Sequence, residues 1–517
     1  MKAFARLLEA LVFTPGRNAK LAHLQRYFAE TPDPDRGWAL AAIAGDLALP
    51  NVTASRIRGL VEERVDPVLF RLSYDYVGDL AETVALIWPG EGDTPPRLSE
   101  VVSRLQQTGT ASAGAVLADL CDRMGPSERL ALIKLATGGL RVGVSARLAR
   151  TALAGYSGRD LERIEELWFA IEPPYTALFS WLEGGPEPAL DLDLAFRPMM
   201  LANPVEGRLE SLDPAEYAAE WKWDGVRIQA VAFRGERRLY TRTGDEISGS
   251  FPDVIASMTW QGAVDGELLV MRDGAVASFA DLQKRLGRKR VGAKTMAVNP
   301  AHLRLYDLLH DGTTDLRPLP LAERRSALAD WLRAADPDAT DLSADVPFES
   351  WDDLAELRAG ARAEGQEGLM LKRLDAAYTG GRPMGPWFKW KRDPLTADCV
   401  ILYAQRGHGK RSSFYSDYTF GAWNGADLVP VGKAYSGFTD AELRELDAWV
   451  RNNTVERYGP VRAVKSDLVV EVAFDALQRS TRHKSGIAMR FPRIKRIRWD
   501  KPAGEADTLR SLQALLG

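Results

Sequence analysis

The hydrophobic period of this chain changes once, and that change limits what it can fold into. Phe4, Leu7, Leu8, Leu11 and Val12 recur at spacings of three and four, the stripe of an amphipathic helix, and similar patterns run on to about Leu182. Beyond the Gly- and Pro-containing stretch from Glu183 to Pro198 the period drops to two. Val226, Ile228, Ala230 and Ala232 then face one way and Arg227, Gln229 and Val231 the other, as in strands. With 517 residues the chain exceeds the roughly 250 to 300 at which a single core stops growing. A multidomain fold follows, all-α at the N-terminus and strand-rich after it. A further break falls at Asp393-Pro394, because proline disfavours helix in the residue before it. The expected divisions are 1–195, 196–393 and 394–517.

Local signals refine this outline. Arg129 to Thr137 reads as a helix stopped by Gly138-Gly139, and Ser145 can cap a helix from Ala146 to Ala154, with Leu140-Arg141-Val142-Gly143 between them. A helix is expected near Leu321 to Ala335, strands at Asp398–Tyr403 and Leu468–Phe474, and a last helix near Ala506 to Leu516. Hydrophobic residues at 45%, charged residues at 27% and a net charge of -4 exclude a uniformly basic nucleic-acid coat, so any anion-binding surface must be local. Cys121 and Cys399 are too few and too far apart for a disulfide framework or a four-cysteine zinc site, which fits a reducing cytoplasm. Phe4 to Phe13 is interrupted by Arg6 and Glu9, and no run of 18 uncharged apolar residues follows, so neither export nor a membrane span is expected. Gly409-Lys410 and Gly432-Lys433 lack the glycine and hydroxyl residue of a P-loop.

Chemistry concentrates in an ordered series. Glu220-Trp221-Lys222-Trp223-Asp224-Gly225 precedes a strand, with Arg227 two residues on. Downstream come Thr241-Arg242-Thr243-Gly244, Asp265-Gly266-Glu267-Leu268, Leu305-Tyr306-Asp307, Glu367-Gly368-Leu369-Met370-Leu371-Lys372 and Trp387-Phe388-Lys389-Trp390-Lys391. The series ends in Arg490-Phe491-Pro492-Arg493-Ile494-Lys495-Arg496-Ile497-Arg498-Trp499-Asp500-Lys501. A lone Lys-x-Asp-Gly should occur by composition in roughly one such chain in ten and would usually be a solvated lysine. Order and company change that reading. A lysine amine attacks phosphorus only when neutral, which needs nearby positive charge, a metal or desolvation; Lys389, Lys391 and a divalent ion could provide this for Lys222. Glu267 and Glu367 offer the hard oxygens that Mg²⁺ or Mn²⁺ takes.

Over essentially the whole chain this series resembles the ATP-dependent DNA ligases of the covalent nucleotidyltransferase superfamily. The resemblance implies a helical DNA-binding domain over 1–195, an α+β adenylation domain with antiparallel sheets over 196–393, and an OB-fold β-barrel over 394–517. It also implies the reaction. Lys222 attacks the α phosphate of ATP, AMP passes to the 5′ phosphate of a nick in duplex DNA, and the 3′ hydroxyl displaces it. On matching positions Glu220 is implied to read adenine, Arg227 and Arg242 to contact ribose and phosphate, and Tyr306 to stack under the base. Glu267 and Glu367 are implied at the nucleotide and metal, and Lys389 and Lys391 at the α phosphate. Arg382 resembles the arginine before that pair, at a spacing one residue longer. Tyr306 stands where phenylalanine is common, and stacking survives the change.

Two basic segments complete the resemblance. Between Lys484 and Lys501 seven cations face one acid, Asp500. Arg490, Arg493, Arg498, Asp500 and Lys501 are implied to close over ATP and then swing away about a hinge at Asp393-Pro394. Lys284, Arg285 and Arg288 are expected on the DNA backbone, bound without regard to sequence. Leu140-Arg141-Val142-Gly143 is either an ordinary interhelix turn or, by resemblance, a minor-groove grip through Arg141 and Gly143. A monomeric protein without membrane attachment is expected. NAD-dependent ligases, RNA ligases and capping guanylyltransferases share the lysine chemistry, but the cysteine count and the long helical region favour an ATP-dependent DNA ligase. A non-catalytic nucleic-acid binder is separated from it by labelled ATP and a search for an acid-labile adduct.

Overall fold

The computed structural model describes residues 1–517 except 91, 208, 361–364, 408–412, 482 and 517; Gly409 and Lys410 therefore lie outside the described residues. Contacts divide the chain into two compact units. One comprises Met1–Arg159, Pro173–Gly185 and Pro394–Gly517, the other Asp160–Glu172 and Pro186–Asp393.

From Lys2 to Leu182 the chain is helical throughout its regular elements, all of them in the first unit except the helix Leu161–Trp168. The opening stripe becomes the helix Lys2–Phe13, which buries Phe4, Leu7, Leu8 and Leu11, while Val12 stays exposed. Pro126–Ala136 begins on a proline, which loses no helical donor at that position, and ends before Gly138 at φ +67°. Ser145 caps Ala146–Ser157 by accepting from the Leu148 amide at 3.2 Å.

The second unit carries two sheets. β1 (Asn203–Pro204), β2 (Tyr217–Trp223), β9 (Gln366–Arg373) and β10 (Trp387–Lys391) form one, ordered β1-β10-β9-β2. The other, ordered β4-β3-β5-β7-β8, contains β3 (Val226–Phe233), β4 (Glu236–Thr241), β5 (Gly262–Arg272), β7 (Ala301–His310) and β8 (Thr340–Leu342), with β6 (Ala275–Val276) paired to β5. Pairing is antiparallel except β1 with β10 and β7 with β8. Period-two alternation lets one face of β3 bury Ile228, Ala230 and Ala232 in a core with Leu268, Leu303, Leu305 and Leu328. Leu328 comes from the helix Leu321–Ala335, which spans its expected residues.

After Pro394 the first unit resumes as an antiparallel β domain. β11 (Leu395–Arg406), β12 (Tyr415–Asn424), β13 (Asp427–Ala434), β14 (Thr454–Tyr458), β15 (Val461–Val464), β16 (Val469–Phe474) and β19 (Arg493–Arg498) share one sheet. β17 (Ala476–Arg479) and β18 (Ile487–Arg490) pair separately. The last helix is shorter than expected, Leu509–Gln513, because a reciprocal cap between Thr508 and Ser511 fixes its start.

Candidate active site

Strand register brings the series together. On β2, Lys222 lies opposite Gly368 of β9, and Gly368 lies opposite Lys391 of β10; one step along, Glu220, Met370 and Lys389 form a parallel row. Alternation then puts Glu220, Lys222, Lys389 and Lys391 on one face. Gly368 makes the middle of the row possible. Its φ is +140°, and a Cβ would sit 2.3 Å from the Trp390 carbonyl oxygen and 2.7 Å from the Lys391 Cα.

The larger sheet supplies a second charged row. Arg227 of β3 pairs with Glu267 of β5, and Glu267 with Arg304 of β7, whose neighbour in register is Asp341 of β8. Gly225 lets this row approach Lys222, since a Cβ there would lie 2.7 Å from the Glu267 Cγ and 2.6 Å from the Leu268 carbonyl oxygen.

Within this frame Lys222 Nζ donates a hydrogen bond to a Glu367 carboxylate oxygen, which stands 3.9 Å from Lys391 Nζ. Burial would raise the Glu367 carboxyl, but Lys222, then Lys391 and a hydrogen bond shared with Asp224, hold it below its usual value. Glu267 goes the other way. Burial pushes it up to about 8, with Glu367 and Asp265 adding to the rise and Lys222 and Arg227 opposing it. Lys389 is held below the usual lysine value by burial and then by the fields of Arg382, Lys391, Lys222 and Arg242. Lys222, Lys389, Lys391, Arg227, Arg242 and Arg382 thus share one field with Glu267 and Glu367, a field suited to a polyphosphate and a divalent ion. Among the described residues no cluster of three or more His, Cys, Asp or Glu side chains could hold a metal, so an ion here would draw its remaining ligands from phosphate and water, as Mg²⁺ commonly does.

Partners that the linear motifs did not reveal anchor the site. Arg227 spans Asp265 (Nε to Oδ1, 3.0 Å), the Met200 carbonyl oxygen (2.7 Å) and the Tyr378 hydroxyl (3.3 Å), while that hydroxyl donates to Asp265 at 2.6 Å. Arg324 and Asp307, both fully buried, pair at 2.8 and 2.9 Å next to Tyr306. Tyr306 is 9% exposed, with Lys372 Nζ 4.2 Å from its ring centroid. Glu220 is 1% exposed and ion-paired to Arg325 and Lys372. Arg304, held by Asp341 at 2.8 Å, stacks 4.3 Å from the centroid of Trp223, the residue after Lys222.

Outside this cluster the expected residues separate. Arg285 is fully buried, bound to Asp253 and to the Ser250 and Asn299 carbonyl oxygens. The expectation of a backbone contact by Arg285 is therefore corrected: its guanidinium is consumed inside the fold, because Leu282 and Arg285 fall on the same inward side. Lys284 and Arg288 are exposed, Lys284 beside Asp281 at 2.6 Å. In the helical region Arg141 is exposed at φ +43°, and Lys20 Nζ donates to the Gly143 carbonyl oxygen at 3.2 Å. In the C-terminal β domain Arg493 pairs with Asp475 (3.1 Å), Arg498 with Asp398 (3.2 Å) and Asp500 (2.9 Å), and Lys501 with Asp398 (2.7 Å). Arg490 flanks the exposed Phe491 ring at 5.6 Å.

Residues 199–391 match the family described as the ATP dependent DNA ligase domain, and residues 411–501 the ATP dependent DNA ligase C terminal region. A probable DNA ligase of Koribacter versatilis is 34% identical over 98% of this chain and 95% of its own length. One from Rhodococcus jostii is 33% identical over 87% and 92%. Among solved structures, one titled Pmar-Lig_Pre. covers 96% of this chain and 99% of its own with TM-score 0.65 at 17% identity, a likeness of fold.

Proposed function

Because this chain belongs to the ATP-dependent DNA ligase family, we propose that the cluster around Lys222 is where its AMP is taken up. The enzyme joins DNA ends at the expense of ATP, through a lysyl-AMP intermediate, with release of diphosphate and then AMP. The observation that carries the assignment is the row Lys222, Gly368, Lys391, with Glu367 hydrogen-bonded to the Lys222 amine.

Each residue has a task in this reading. Lys222 must lose its proton to water before its lone pair can form the N–P bond to the α phosphate, and Glu367, hydrogen-bonded to the amine, orients it; diphosphate leaves from the opposite side. Lys389, Lys391, Arg382 and Arg242 neutralise charge that grows on the phosphate oxygens. Arg227 and Arg242 contact ribose and phosphate, Tyr306 stacks under adenine, and Glu220 reads its edge. A Mg²⁺ or Mn²⁺ ion held by Glu267 and Glu367 would polarise the phosphates when bound. The Glu267 carboxyl, raised by burial and without a hydrogen-bond donor among the described residues, fits such a ligand, because the ion would displace its proton.

The C-terminal β domain is read as an OB-type barrel. Its Arg490, Arg493, Arg498, Asp500 and Lys501 close on the ATP and retreat once AMP is on the lysine. Domains of 1–195, 196–393 and 394–517, a nicked duplex as substrate, Arg141, Gly143, Lys284 and Arg288 as backbone contacts, a monomer and a cytoplasmic location belong to the same reading. No helix among the described residues is long and apolar enough to cross a membrane. Intact-protein mass spectrometry after incubation with ATP and Mg²⁺ tests the assignment. It expects an adenylate adduct on Lys222, and a chain that stays unmodified there while sealing nicks overturns it.

A further inference from the structure

We infer that Arg325 sets the preference for adenine over a 6-oxo purine at the nucleotide site, an inference that rests on Glu220 as the residue reading the base. Glu220 lies two residues before Lys222 and is 1% exposed. Both of its cationic partners engage the same oxygen. Arg325 Nη1 donates to Oε1, and Lys372 Nζ stands 3.0 Å from Oε1. Oε2 accepts no hydrogen bond from the described residues, which leaves it for a donor on a ligand. The same Lys372 amine lies 4.2 Å from the Tyr306 ring centroid, so the open carboxylate oxygen stands beside the platform on which the base stacks.

Arg325 is itself fixed. It projects from the helix Leu321–Ala335, its side chain is 10% exposed, and Nη2 reaches the Ser343 carbonyl oxygen at 3.0 Å and Asp345 at 2.9 Å. The next residue back, Arg324, is locked onto Asp307, so the helix face that presents Arg325 cannot turn.

A carboxylate this far from water persists as an anion only when cations compensate it. As an anion it offers acceptors alone; protonated, it also donates. Adenine carries an amino donor at position 6, whereas guanine and hypoxanthine carry an acceptor oxygen there. An acceptor-only Glu220 therefore pairs with the first and repels the others, and sites that pair a buried polar group with a substrate donor discriminate strongly against analogues lacking it. Arg325 never touches the base. It acts by holding the Glu220 carboxylate in orientation, with Oε1 occupied and Oε2 open. Without it, Lys372 alone engages Oε1, and the carboxylate can turn so that Oε2 no longer faces the 6-amino donor.

The test compares ATP with inosine triphosphate, which carries oxygen in place of the 6-amino group and a proton on N1, as substrates for covalent labelling of the full chain. The readout is the ratio of kcat/KM for the two. Arg325→Met is expected to lower the ATP preference roughly tenfold or more, and Arg325→Lys to recover most of it. Arg325→Gln gives the same readout should the methionine variant not fold. An unchanged ratio in the charge-removing variant overturns the inference. Glu220→Gln separates this from the reading beneath it: if Glu220→Gln shifts the ratio and Arg325→Met does not, only the role of Arg325 fails. If neither shifts it, Glu220 does not read the base.

Discussion

Lys222 and Glu367 share a hydrogen bond across neighbouring strands, and the glycine after Glu367 is the residue opposite Lys222 in register. The proposed nucleophile and the carboxylate that holds its amine are therefore set by one strand pairing rather than by a loop. Lys222→Ala should abolish labelling by ATP and ATP-driven sealing, yet leave sealing of a nick already carrying 5′ AMP. Gel assays of both substrates check this, and full ATP-driven sealing by the variant would remove Lys222 from the mechanism.

Gly368 should tolerate no side chain. At φ +140°, with a Cβ 2.3 Å from the Trp390 carbonyl oxygen, alanine must push β10 away from β9 and with it Lys391 away from Lys222. Gly368→Ala is expected to cost about 1 to 3 kcal/mol in denaturant unfolding and to slow lysine adenylylation more than sealing of the pre-adenylated nick. Equal loss in both steps would mean that the strand shift is not local to the nucleotide site.

The buried Arg324–Asp307 pair makes a stability prediction. Removing one partner strands the other charge in the core, so Arg324→Met should destabilise the fold by about 3 to 5 kcal/mol. Arg324→Met with Asp307→Leu should regain part of that loss. Urea midpoints at constant slope measure both, and strict additivity of the two changes would show that the pair does not couple.

How much of this was readable beforehand depends on where each residue's partner lies. Lys222, Glu267, Glu367, Lys389 and Lys391 sit in short motifs, and the alternating run from Val226 marked the strand after Lys222, but that the five residues themselves lie on β2, β5, β9 and β10 was not legible. Arg325, Tyr378 and Arg304 act through residues tens to more than a hundred positions away, a distance that no local pattern spans, and Lys372, although inside the motif from Glu367, gave no sign of its partner Glu220. Arg324 did leave a trace: Leu321, Arg324 and Leu328 fall at i, i+3 and i+7 on one helix, and a cation inside an apolar stripe signals a buried acid. The basic run that holds Arg285 misled for the opposite reason. Its charge density looked solvent-facing, although Leu282 and Arg285, three apart, both point inward.

As a proposed ligand of the divalent ion, Glu267 would link that ion to pH. Burial lifts its carboxyl from an ordinary 4.5 to about 8, so without a divalent ion the folded state prefers the neutral acid. That preference stabilises fully below pH 4.5, where the unfolded chain is protonated too, and is lost as pH rises through about 8. In chelator, the Tm of the wild-type chain should therefore fall relative to that of Glu267→Gln between pH 5 and pH 9. A bound ion replaces the proton, so Mg²⁺ affinity in the presence of ATP should rise with pH from 6 to 8 in the wild type and stay level in Glu267→Gln. Calorimetry in two buffers of different ionisation enthalpy counts the proton released. If Mg²⁺ binds the wild type with the same affinity at pH 6 and pH 8, Glu267 neither holds that proton nor receives the ion, and the carboxylate pair loses its place in the chemistry.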